Sequence, residues 1–181
     1  MNWTRVEMTR ITQEWMSQLP RKEMDALEIS GEAWSSWGFK SYTSLQYPDF
    51  DICAPPSNGR TWDIVIAEQV FEHILWPYRA VKHVYALLNR GGYFLITTPF
   101  LLPVHEVPVD CSRWTETGLK YLLAEGGFPL ESIRTGSWGN MACVKANLKK
   151  WQPYSRWRHS LENSPRHPVV VWALARTPAQ A

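Results

Sequence analysis

Apolar positions along this chain fall into two spacings. Met8, Ile11, Trp15 and Leu19 recur every three or four residues, which predicts an amphipathic helix over 4–18. Thr4 and Glu7 stand at capping-box spacing ahead of it, and Pro20 closes the segment. Short continuous apolar runs at 25–30, 62–67 (WDIVIA) and 93–99 (YFLITTP) predict buried strands. Weaker patterns predict strands at 42–46, 130–136 and 168–176, and a short one at 50–53 inside the Pro/Asn/Gly-rich stretch 47–61. Helical spacing returns after Pro77, with Val81, Val84, Tyr85 and Leu88 on one face and Gly91-Gly92 as the stop. It returns again after Thr115, with Leu119, Leu122 and Leu123 inward and Gly126-Gly127 at the end.

Strands that alternate with helices argue for an α/β fold with a parallel sheet between helical layers, a Rossmann-like three-layer sandwich. No internal repeat or linker divides the chain, so residues 1–181 are expected to form a single domain, residues 1–20 its N-terminal helix. A polar segment rich in Lys and Arg, 145–166, lies between the last two strands.

Composition narrows the function. A formal charge of +2 is too small for a nucleic-acid footprint, and no apolar run has the length of a membrane span. Cys53, Cys111 and Cys143 are odd in number and far apart, which reads as reduced, mostly buried thiols rather than disulfides or a zinc site. A cytoplasmic protein with no structural metal is the expectation. The eleven tryptophans read mainly as core, with Trp114, Trp138, Trp151 and Trp157 as candidates for a pocket wall.

The stretch ALEISGEAWSSWGF (26–39) reads as a strand entering a ligand-binding turn, yet it carries only Gly31 at the bend. A nicotinamide-type fingerprint is excluded, since G-x-G-x-x-G and an acid about twenty residues on are both missing from the sequence.

More specific is WDIVIAEQVFEHILWPYRAVKHVYALLNRGGYFLITTPF (62–100), which resembles the middle of class I S-adenosylmethionine-dependent methyltransferases, of the small type 11-like kind. The matching pieces are Trp62-Asp63-Ile64-Val65, Val70-Phe71-Glu72-His73-Ile74, Leu87 to Gly92 and Thr97-Thr98-Pro99. HEVPVDCSRWTETGLKYLLAEGGF (105–128) is similar to a further segment of one subgroup. The resemblance implies one antiparallel strand near the C-terminus, at 168–176, and S-adenosylmethionine as cofactor. It implies Glu28, Ser30 and Gly31 at the methionine end, Gln46 and Tyr47 at the ribose, and Glu68 and Gln69 on the floor of the crevice. At the ribose position the family has an acid where this chain has Gln46 or Tyr47, and its adenine-side acid falls at Ala54-Pro55.

Methyl transfer needs a nucleophile held in line with the methyl group, plus a base when the acceptor is an alcohol. His105, on the loop after the 93–99 strand, is the candidate catalytic base, with an ordinary pKa near ~6.5. Asp110, Arg113, Trp114 and Trp138 are the candidate substrate-side residues, Asp110 and Arg113 reading also as a brace for that loop. His73 reads as structural. Segment 145–166 sits where a substrate lid is expected. These features imply methylation of a small-molecule acceptor at oxygen or nitrogen, a sugar or secondary metabolite for example, and are compatible with a homodimer. The competing expectation is an inactive relative acting as a binding partner, with Trp34 and Trp37 filling the cleft.

Overall fold

Six strands form one sheet in the order β2-β1-β3-β4-β6-β5, where β1 is Asp25–Ile29, β2 Ser41–Leu45, β3 Trp62–Glu68, β4 Leu88–Pro99, β5 Ile133–Trp138 and β6 Val170–Arg176. The structure, a computed structural model, describes residues 1–56 and 59–179. β2, β1, β3 and β4 pair in parallel, and β6 runs antiparallel to both β4 and β5. β6 is therefore the one reversed strand.

The helices are α1 (Val6–Ser17), α2 (Pro77–Ala86), α3 (Glu116–Glu125) and α4 (Met141–Asn147). Strand residues alternate between the faces. Leu27, Ile29, Val65, Ala67, Phe94 and Ile96 meet Ala80, Val81 and Val84 of α2 and Leu119, Leu122 and Leu123 of α3. On the other face, Ala26, Ile64, Ile66 and Leu95 pack with Met16 of α1, and Trp172 with Met8 and Trp15. Those are the three layers.

Local chemistry sets the element ends. The Thr115 side chain caps α3 by accepting from Gly118 N at 3.1 Å. The N-terminal cap differs from expectation: Asn2, not Thr4, accepts from the backbone, and Thr4 lies in a short 3-10 turn, Trp3–Arg5, ahead of α1. Glu7 instead pairs with Arg10 at 2.8 Å. Gly91-Gly92 does not end α2, which stops at Ala86; both glycines belong to β4. The register slips there, Trp62 facing Leu88 while Ile64 faces Tyr93, and Gly91 takes φ 73° in the irregular stretch.

Residues 50–53 form a turn rather than a strand, because Asp51 Oδ1 accepts from Cys53 N and its carbonyl from Ala54 N. The segment between β1 and β2 holds no α-helix, only turns at 33–37. Of the cysteines, all free, only Cys143 is buried, which pushes its thiol up to about 12. Among the described residues no helix is long and apolar enough to cross a membrane.

Candidate active site at the carboxyl edge of the sheet

Two cavities open at the carboxyl ends of β1, β3 and β4, the edge where open parallel sheets bind ligands. The smaller, about 550 Å³, is walled largely by apolar groups, Ile29, Phe50, Ile52, Val70, Ile74 and Trp76 among them, with Ser30, Tyr47, Asp51 and Gln69 as polar members. The larger, about 770 Å³, is lined by Glu68, Gln69, Glu72, His73 and His105, by Asn2, Arg5 and Thr9 of the N-terminal segment, and by Trp151. Gln69 and His73 stand in the walls of both.

The backbone is strained at this edge. Ser30 and Gln69, each directly after a strand, hold φ of 55° and 57°, a left-handed conformation that residues other than glycine rarely adopt. Such conformations cost on the order of 1–3 kcal/mol each and cluster where a ligand is held. Gln69 is fixed by its N–H to the Thr97 carbonyl at 3.0 Å and its Nε2 to Thr97 Oγ1 at 3.0 Å.

Glu28 faces away from this chemistry. Its carboxylate, 1% exposed, accepts from Ala33 N and Trp34 N at 3.0 Å each and from the Tyr42 hydroxyl at 2.7 Å. It folds the turn after β1. A Cβ at position 31 would come within 2.5 Å of Glu28 Oε1, so this carboxylate is what requires Gly31. Gln46 is exposed and its carbonyl accepts from Phe50 N. Tyr47, 74% exposed, reaches the rim of the smaller cavity. Trp34 and Trp37 pack with Met16, Met24, Ala26 and Ile64 on the α1 face and line neither cavity.

Glu68 lies on the floor of the larger cavity, accepting from Trp34 Nε1 at 3.0 Å, with Arg5 3.8 Å away. Burial raises its pKa against the pull of Arg5 and the indole bond. Glu72, also 1% exposed, differs from Glu28 in that its Oε2 has no hydrogen-bond partner. Burial pushes Glu72 up to about 7, against a backbone hydrogen bond and the charges of Arg113 and Arg5.

Glu72 and His73 occupy a 3-10 turn, Phe71–His73, directly after β3. His73 Nδ1 bonds the Val109 carbonyl, which fixes the proton on Nδ1 and leaves Nε2 as the free lone pair, 3.7 Å from Glu72 Oε1. The His105 ring lies edge-on to His73 at 5.0 Å between centroids and to Trp151 at 6.0 Å. Burial lowers the His105 pKa, with Asp110 opposing, so its imidazole is neutral at neutral pH.

Asp110 and Arg113 form the expected brace. Both Arg113 terminal nitrogens bond the Asp110 carboxylate, which also accepts from His105 N at 2.9 Å. Burial works to raise the Asp110 carboxyl, but the Arg113 and His105 bonds outweigh it and hold the carboxyl low. Trp114 packs on the α2/α3 core, and Trp138 is 2% exposed with Nε1 donating to Leu161 O. Neither lines either of these two cavities, and Trp157 is 82% exposed; of the four tryptophans, Trp151 is the one in their walls.

Sequence reasoning passed over Glu72 as a site residue and took His73 as purely structural. Their adjacency after a strand was the available signal. The contribution of Asn2, Arg5 and Thr9 had none, since it depends on where α1 docks.

Sheet order, the single reversed strand and a polar cavity at the carboxyl edge define a class I methyltransferase fold. A family model described as a methyltransferase domain matches residues 12–132, and the chain belongs to that family, whose cofactor is S-adenosylmethionine. A search of curated protein sequences gives no match. Among solved structures, a SAM-dependent methyltransferase from Thermotoga maritima superposes with TM-score 0.61 at 14% identity, covering 96% of this chain and 90% of that one. One from Mesorhizobium loti gives 0.61 at 13%, covering 91% and 96%. Phosphoethanolamine N-methyltransferase 2 of Haemonchus contortus, in complex with S-adenosyl-L-methionine, gives 0.62 at 12%, covering 94% of this chain and 52% of that one.

Proposed function

We propose that residues 1–181 work as one domain that transfers a methyl group from S-adenosylmethionine to the oxygen or nitrogen of a small molecule bound in the 770 Å³ cavity. The observation that carries this reading is the pair of cavities sharing Gln69 and His73, one apolar and one polar, at the carboxyl edge of a methyltransferase sheet. When bound, the cofactor supplies an electrophilic methyl group on a sulfonium.

The chain's residues suit that group. The smaller cavity is assigned to the adenosine portion, with Ser30, Tyr47 and Gln69 as its polar contacts. Glu68 and Glu72 line the larger cavity beside the shared residues Gln69 and His73, and a cationic centre there favours their charged forms. Glu28 and Gly31 act one step back, holding the turn that presents Ser30, and Asp110 and Arg113 fix the loop that carries His105. His105 presents a neutral imidazole to the acceptor side, the state that takes up a proton or a metal ion. Trp151 extends segment 145–166 over that cavity, which is how the segment serves as a lid. Reduced thiols suit the cytoplasm.

Calorimetric titration of the full chain with S-adenosylmethionine tests the reading. Saturable one-to-one binding is expected, with an unfolding midpoint that rises with ligand as stability gains about 2.7 kcal/mol at one hundred times Kd. No heat and no midpoint shift at millimolar cofactor would sink it in favour of an inactive relative.

A further inference from the structure

The larger cavity gathers a carboxylate and two imidazoles in its wall. The ligand-competent atoms of Glu72, His73 and His105 all lie within 4.8 Å of one another. From this convergence we infer that Glu72, His73 and His105 form a binding site for a first-row divalent transition-metal ion, open toward the acceptor cavity.

The distances suit an ion. Two ligands each about 2.1 Å from one metal stand at most about 4.2 Å apart. Glu72 Oε1 and His73 Nε2, at 3.7 Å, already meet that limit, and no pair in the triad is more than 4.8 Å apart, within a small side-chain adjustment of it.

His73 is oriented the way metal-binding histidines are, by an acceptor on the ring nitrogen away from the ion. That acceptor is the Val109 carbonyl. The His105 ring is held at the brace, its Nδ1 3.4 Å from Asp110 Oδ2 and 3.5 Å from Arg113 Nη2. The two loops are tied independently of any ion, because the Glu72 carbonyl accepts from Cys111 N at 2.7 Å. Glu72 supplies the second line of evidence: a side chain 1% exposed whose Oε2 is left without a partner. A buried carboxylate oxygen is costly unless something pairs it. The nearby cations are otherwise engaged, Arg5 with Glu68 and Arg113 with Asp110.

Two imidazoles and one carboxylate favour manganese, iron, cobalt or zinc over magnesium and calcium, which prefer oxygen alone. Three protein ligands leave coordination positions facing the cavity. They suit an acceptor that carries paired oxygen donors, a vicinal diol or a hydroxy acid. This inference rests on the larger cavity being the acceptor site, and it makes His105 a ligand.

The test is titration of the full, EDTA-stripped chain with cobalt(II), without cofactor, followed by visible absorbance and calorimetry. One equivalent should bind with a histidine–cobalt band, and a tenfold excess of magnesium should not displace it. His105→Ala and Glu72→Gln should each weaken binding by about tenfold or more, as loss of a ligand requires. Circular dichroism and unfolding midpoints establish that each variant is folded; if Glu72→Gln is not, His105→Ala decides alone, its side chain being 29% exposed. No uptake at millimolar cobalt(II), or undiminished uptake by folded His105→Ala, overturns the site. S-adenosylmethionine binding by the stripped protein is read separately, so loss of the metal site and loss of the methyltransferase reading are distinct results.

Discussion

Glu28 and Glu72 are equally hidden, each 1% exposed, and differently used. Glu28 receives three hydrogen bonds and folds the turn after β1, whereas Glu72 Oε2 receives none and sits at a cavity. A buried carboxylate with every donor in place is part of the scaffold. One left unpaired at a ligand-sized cavity waits for something outside the chain. The comparison also separates the two ends of the crevice: the β1 turn spends its polar groups on itself, while the turn after β3 keeps its own for a ligand.

The largest test of that contrast is Glu28→Ala, which strands Ala33 N, Trp34 N and the Tyr42 hydroxyl together. Only Trp34 N is fully buried; at about 1–3 kcal/mol for that donor and less for the two part-exposed ones, chemical denaturation should show a loss of about 3 kcal/mol. Glu72→Gln in the same assay should change stability by less than about 1 kcal/mol. Equal losses in the two variants would break the comparison.

Gly31→Ala sharpens it, by forcing a Cβ to within 2.5 Å of Glu28 Oε1. An overpacked contact of this kind costs about 1–3 kcal/mol, and combining it with Glu28→Ala should remove most of that cost. Full additivity would show that Glu28 is not what Gly31 accommodates.

Smaller again is Ile74→Trp, which adds bulk to the wall of the 550 Å³ cavity. It should weaken S-adenosylmethionine binding by about tenfold, roughly 1.4 kcal/mol, and leave cobalt(II) uptake alone. Unchanged cofactor affinity would move the adenosine portion elsewhere.

The smallest effect concerns Glu68, whose pKa is raised by burial. An acid with a raised folded-state pKa penalises folding once pH exceeds its unfolded value, and the penalty is complete above the folded one. Glu68→Gln should therefore raise the unfolding midpoint at neutral pH, and the gain should vanish as pH falls below the ordinary glutamate range. A gain that persists in acid would place the effect in packing instead.

The framework of the fold is legible along the chain because it follows from period and capping. WDIVIA becomes β3, Thr115 caps α3, and the reversed 170–176 strand follows from the family resemblance. Misreadings occur where tertiary contacts override local signals. Gly91-Gly92 looks like a helix stop but serves an irregular strand pinned by Thr177 Oγ1 to the Asn89 carbonyl. α4 hides at the border of a polar stretch because Cys143 and Asn147 are its fully buried residues, with Val144 and Ala146 only partly covered. Of the site, His105 and the Asp110–Arg113 brace can be read from loop position and spacing. Glu72 and His73 offer only their adjacency after a strand, since what fails to pair with Glu72 is visible only in three dimensions.

One wall of the larger cavity comes from Asn2, Arg5 and Thr9 and another from Trp151, stretches joined by the Asn2–Pro153 bridge and by Trp3 N donating to the Gln152 carbonyl at 2.9 Å. The larger cavity is thus closed by a clasp between two segments far apart in the sequence, a contact of long loop length that chains complete slowly. Protease sensitivity near that clasp should fall when the chamber is occupied, which makes backbone protection of segments 1–9 and 150–154 a direct reporter of acceptor binding even before the acceptor's identity is known.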